Sequence, residues 1–135
     1  MRTVRDEEGA RLLLCKRSGD ACLVRDPATG ERRYVDADAL TAGGRPPLLT
    51  VAEAVPDDAR AALPVAGDRA VGLLADIAAR GPLGVRRMLD EYELCESDLH
   101  GALGELRAAD LLAETRVAGE RGYEATDAAR DALGR

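Results

Sequence analysis

The chain has no phenylalanine, tryptophan, asparagine or glutamine, and Lys16 is its single lysine. Its aromatics are Tyr34, Tyr92 and Tyr123, so any core must be built from leucine, valine and alanine. One histidine, His100, and three cysteines, Cys15, Cys22 and Cys95, without CxxC spacing argue against a structural zinc site. They argue equally against a disulfide framework. There is no nucleophile elbow, no glycine-rich phosphate loop after a strand and no metal-ligand cluster, so no catalytic residue, metal or cofactor is expected and the chain reads as a non-enzyme. No apolar run approaches the roughly eighteen residues of a membrane-crossing helix. The N-terminal stretch Met1-Arg2-Thr3-Val4-Arg5 has no apolar signal core. The expected location is the cytoplasm.

What is present is charge. There are 25 acids against 19 bases, a net charge of −6. Residues 1–47 carry 9 bases and 8 acids, whereas residues 68–135 carry 9 bases and 14 acids. Arginine over lysine, abundant alanine and many acids resemble the composition of proteins from extreme halophiles with GC-rich genomes. An acidic, hydrated surface keeps such a protein soluble. At molar salt the Debye length is about 3 Å, so only close charge pairs act.

Residues 1–40 alternate short strands with turn signals and predict a small antiparallel β domain. Strands are expected near Arg2–Arg5, Arg11–Arg17, Ala21–Arg25 and Arg32–Val35. A two-residue Ser18-Gly19 loop would set Leu14 opposite Leu23 and Cys15 opposite Cys22. Leu14, Leu23 and Tyr34 would then form an apolar row. The facing cysteines read either as small buried hydrophobes or as a redox-sensitive pair. So small a sheet needs something packed on it, either the helical part or a second copy. Its arginines are a possible nucleic-acid surface or simply a solvated one.

Residues 41–67 read as a linker with a little helix. Gly43-Gly44-Arg45-Pro46-Pro47 breaks regular structure, and Pro56 to Leu63 carries a proline start and early acids.

Residues 68–135 carry the clearest pattern. Ala70, Leu73, Leu74, Ile77 and Ala78 form an amphipathic stripe ended by Gly81-Pro82. Val85, Met88, Leu89 and Tyr92 repeat it over a short helix. After the turn Glu93-Leu94-Cys95-Glu96, a third helix buries Leu99, Ala102, Leu103 and Leu106. Two such helices across so short a turn predict a helix-turn-helix. A strand to Val117, a tip at Ala118-Gly119-Glu120-Arg121-Gly122, a return strand and a helix capped by Thr126 complete a winged helix. The expected class is α+β, an N-terminal β meander followed by a winged helix-turn-helix domain.

Leu103-Gly104-Glu105-Leu106-Arg107-Ala108-Ala109-Asp110-Leu111-Leu112 and Gly122-Tyr123-Glu124-Ala125-Thr126 resemble the winged-helix regulators of the MarR and PadR type. Asp110 stands where glycine is commoner in that pattern, and Ala125 where leucine is. With its composition and β meander, the whole chain is similar to a small haloarchaeal regulator-like family. The resemblance implies a homodimer on double-stranded DNA, with half-sites related by the dimer axis.

The exposed side of the third helix holds Ser97, Gly101, Gly104 and Ala108, flanked by Asp98 and Glu105 on one edge and His100 and Arg107 on the other. It lacks the side chains that read bases bidentately. Two interior glycines cost roughly 1 kcal/mol each relative to alanine, which suggests close approach to another surface. On the DNA reading, Ser97, His100 and Arg107 touch bases while Arg86, Arg87, Arg116 and Arg121 hold phosphates, Arg121 from the wing tip. On the alternative reading, the Gly101–Gly104–Ala108 stripe packs a helix of a protein partner. Cys95, at the helix start, reads as a small turn residue or as a thiol of lowered pKa.

Overall fold

The computed structural model describes residues 1–134. The chain opens with strands β1 (Arg2–Arg5), β2 (Arg11–Ser18), β3 (Ala21–Arg25) and β4 (Arg32–Asp36), then a 3-10 turn and β5 (Thr41–Ala42). All lie in one antiparallel sheet of order β4-β3-β2-β1-β5. Val4, Leu12, Cys22 and Val24 point to one face of it, where Leu14, Val35, Ala37 and Leu40 close a small core. The other face presents Thr3, Leu13 and Arg25 to the helices, because side chains alternate along a strand.

The middle hairpin differs from the sequence expectation. Its turn is Gly19-Asp20, with Ser18 opposite Ala21 and Arg17 opposite Cys22. Between Leu14 and Lys16 the register shifts, leaving Cys15 as the extra residue of a bulge. Cys15 is therefore exposed and Cys22 buried, and the two thiols do not face each other. Leu14 meets Val24, while Leu23 keeps its place opposite Tyr34, which is 65% exposed. The expected apolar row is split between the two faces.

Helices α1 (Pro47–Glu53) and α2 (Asp57–Ala61) follow, each starting just after or at a proline whose fixed φ suits a first turn. Next come α3 (Asp68–Arg80), a two-residue strand β6 (Leu83–Gly84), α4 (Val85–Tyr92) and α5 (Glu96–Ala108). Strands β7 (Leu112–Val117) and β8 (Glu120–Ala125) form a hairpin, and α6 (Asp127–Leu133) ends the fold. The second sheet has the order β6-β8-β7. The chain is thus α+β, with antiparallel sheets and six α-helices among the described residues.

The main core is centred on α3. Its Leu73, Leu74 and Ile77 stripe is fully buried as the spacing predicts. The opposite side is buried too, through Val71, Gly72, Ala75 and Asp76. Helix α1 lies against this second side so closely that a Cβ on Gly72 would sit 2.0 Å from the Leu48 carbonyl oxygen. Leu13 of β2 belongs to the same core, so the N-terminal sheet is packed on the helices. Thr3 and Thr50 tie β1 to α1 through a buried hydroxyl pair at 2.7 Å.

Two chain reversals place α5. Glu93, with φ 57°, ends α4 in the left-handed region, and a three-residue turn delivers the chain to Glu96. At the far end Asp110 has φ 59°. The Leu111 amide donates to the Leu106 carbonyl at 2.9 Å and the Asp110 amide to Arg107 at 3.0 Å, a full Schellman stop. That conformation favours glycine, and aspartate is among the few side chains that tolerate it. It accounts for an aspartate at this position, where glycine is the commoner expectation.

Candidate nucleic-acid interface

Helix α5 buries Leu99, Ala102, Leu103 and Leu106. Ser97, His100, Gly101, Gly104 and Arg107 are left on its exposed side, as their spacing requires. A Cβ on Gly101 or Gly104 would meet nothing within 4 Å. Neither glycine is demanded by packing within the chain. Gly101, Ser97 and Glu105 instead line a shallow groove of about 250 Å³ shared with Gly67, Arg69 and Ala70 at the start of α3.

The hairpin stands beside the C-terminal half of α5. Its turn is Ala118-Gly119, both with positive φ, the pairing a two-residue hairpin turn needs. Val117 pairs with Glu120 and Arg116 with Arg121, so Arg121 lies on strand β8 and not at the tip. The expected five-residue tip is shorter because the strands run on to its very end. Gly122 is buried, and a Cβ there would lie 2.6 Å from the Leu83 carbonyl oxygen. Strand β6, which no pattern of two residues can announce, therefore requires this glycine.

Acids thread the arginines. Arg121 Nε lies 2.8 Å from Glu114, and Arg107 reaches the same carboxylate at 4.0 Å. Arg107 also sits over the Tyr123 ring, 5.9 Å from its centroid. Arg86 lies 3.5 Å from Glu120. Arg116 donates to the Gly119 carbonyl at 3.1 Å. These four arginines surround the hairpin, and all are exposed. His100 lies 3.7 Å from Glu96 on the other half of α5, and Ser97 contacts the Cys95 thiol at 3.4 Å. Arg87 belongs elsewhere: its Nε donates to Glu91 at 3.2 Å.

Glu91 leads into a cluster that the sequence reading missed. Asp76, wholly buried, accepts from Arg25 of β3 at 2.6 Å, from Arg80 at 3.1 Å and from the Tyr92 hydroxyl. Arg80 also donates to Glu91 at 2.6 and 3.2 Å. Burial penalises the Arg80 charge, but the Glu91 bond and the Asp76 charge outweigh it and hold its pKa above the usual value. Burial and then the charge of Asp76 push the Tyr92 hydroxyl well up, keeping it a donor. The signal available in sequence was Gly72, Ala75 and Asp76 at helical spacing: small residues with one acid, on the side of α3 away from its leucines.

The fold and face define an α+β chain in which one side of α5 is exposed beside an arginine-edged hairpin. The chain belongs to the DUF7346 family, a family of unknown function, whose model matches residues 1–135. No curated protein and no solved structure matches it. No helix among the described residues is long and apolar enough to cross a membrane.

Proposed function

We propose that residues 68–134 are a winged helix-turn-helix and that the chain is a cytoplasmic, non-enzymatic regulator that binds double-stranded DNA as a homodimer. The single observation that carries this reading is the element order: helix, short strand, helix, three-residue turn, helix, hairpin, with the exposed side of α5 uncovered. The resemblance to MarR and PadR regulators in the α5 and β8 segments supports it. In such modules the third helix enters the major groove and the hairpin lies along the backbone. Ser97, His100, Gly101, Gly104 and Arg107 would face the groove. Arg86, Arg116 and Arg121 would hold phosphates, exchanging Glu120 and Glu114 for phosphate oxygens. Arg87, drawn to Glu91, is the weakest member of the set. Dimerisation rests on analogy with modules that bind two half-sites.

The test is selection from a random duplex pool by the full chain in high-potassium buffer, with crosslinking. Enrichment of a common sequence supports the regulator.

One arrangement favours a second reading. Three of the hairpin arginines already hold carboxylates or lie within reach of one, and Gly101 opens onto a groove instead of a packed surface. On this reading α5 packs a partner helix along Gly101, Gly104 and Ala108. Recovery of a crosslinked protein with no duplex enrichment would select it.

A further inference from the structure

The seam between the N-terminal sheet and helices α3 and α4 holds two adjoining cavities, of about 290 and 190 Å³. Both are lined by Arg25, Arg32, Arg80 and Arg87, so they are two sides of one cleft. Lys16 and Glu91 complete the smaller. Five cations thus converge here with only Glu91 in the wall and Asp76 behind it, in a chain whose net charge is −6.

The cations are incompletely matched. Asp76 takes one nitrogen of Arg25 and one of Arg80, and Glu91 is shared by Arg80 and Arg87. Lys16 and Arg32 form no ion pair among the described residues. Arg32 is paired across the strands with Arg25, so the two guanidinium groups share one face of the sheet. Like charges set directly opposite are destabilising unless something lies between them. Guanidinium forks match the oxygens of a phosphate group bidentately, and low-dielectric walls strengthen each such bond.

We propose that this cleft binds a small phosphate-bearing molecule. Arg32 and Lys16 approach it from the sheet, Arg87 from α4, and the buried Arg25 and Arg80 form the floor, held in place by Asp76. Depth decides against a nucleic-acid backbone as the source of the phosphate. The Arg25 and Arg80 side chains are only 5% and 10% exposed, beyond the reach of a duplex strand. The cleft joins the sheet to α4, the helix that leads into α5, so an occupant would bear on how those parts sit together. Of the arginines assigned to DNA only Arg87 lines the cleft, and Arg86, Arg107, Arg116 and Arg121 take no part in it, so the assignment stands apart from the DNA reading.

The test is calorimetric titration of inorganic pyrophosphate into the full chain at constant ionic strength, with potassium chloride as the balancing salt. Saturable uptake of one equivalent is expected. The double variant Lys16→Ala, Arg32→Ala, both at exposed positions, should weaken it by about tenfold or more, with the unliganded melting temperature no lower than that of the wild type, because a like-charge pair has been removed. Absence of saturable uptake overturns the proposal, as does uptake that the double variant leaves intact. A short duplex serves as competitor. Failure to displace pyrophosphate supports the small-molecule assignment. Displacement together with loss of duplex affinity in the double variant would assign the cleft to the nucleic-acid backbone and overturn it.

Discussion

Arg25 of β3 donates to Asp76 of α3 at 2.6 Å, with their side chains 5% and 0% exposed. This one bond joins the N-terminal sheet to the central helix where neither charge meets water. Removing Asp76 leaves the buried Arg25 charge unmatched, which typically costs about 3–5 kcal/mol, whereas removing Arg25 leaves Asp76 its Arg80 and Tyr92 donors. Asp76→Ala should lower the unfolding free energy by that order in urea titration, and Arg25→Ala by less. Arg25→Met combined with Asp76→Leu should cost less than the two single changes summed, since no charge is left unmatched. Additive losses would mean the residues act separately.

The same cluster fixes the pH window. Burial pushes Glu91 up, but the Arg80 bond and charge, aided by Arg87, hold it below the ordinary 4.5. The unfolded chain then takes up a proton that the native chain resists. Stability is complete above about pH 4.5 and falls as pH drops through the native value. Tyr92 works in the opposite direction, because its native pKa lies well above 10.0. Its contribution is complete below that value and is lost as pH rises. Urea midpoints across pH should form a plateau between these limits. Glu91→Gln should flatten the acid side only.

Gly72 admits helix α1 to helix α3, and a methyl there would lie 2.0 Å from the Leu48 carbonyl oxygen. Overpacking of this kind costs about 1–3 kcal/mol or more. Gly72→Ala should therefore destabilise the chain, although alanine is the better helix former. A rise in melting temperature would show that the helices separate without cost.

Asp110 closes α5 at φ 59°. Asp110→Gly removes the Cβ penalty of the left-handed region, about 1–2 kcal/mol for an ordinary residue. Glycine returns about 0.5–1 kcal/mol of it through the flexible unfolded chain. A net gain of up to about 1 kcal/mol is expected, read from the shift in urea midpoint. A loss would mean that the aspartate side chain has a favourable role at this stop.

Much of this was legible from spacing. The leucine stripes of α3 and α5, the cap at Thr126, whose hydroxyl accepts from the Ala129 amide at 3.2 Å, and the glycine stop at Gly134 all follow from local pattern. What pattern missed depends on distant residues. The bulge at Cys15 moves the hairpin turn by one residue, and a turn signal such as Ser18-Gly19-Asp20 fits either register. Asp76 looks like a surface acid until α1, β3 and α4 close over it. The hairpin arginines were readable as cations. Their carboxylate partners were not, because Glu114 reaches Arg107 only when β7 folds back along α5. Salt-screened pairs of this kind are weak at a surface, so they lower the field around the hairpin without locking it.

The most direct test of the DNA reading is fluorescence anisotropy of a selected duplex with the full chain, as a function of potassium chloride concentration. Specific binding whose affinity falls with salt is expected. The variant Arg116→Ala, Arg121→Ala should weaken every duplex and flatten the salt slope by about one to two units, with the fold intact by circular dichroism. No duplex binding by the wild-type chain at any salt concentration, or binding that the variant leaves unchanged, would contradict it.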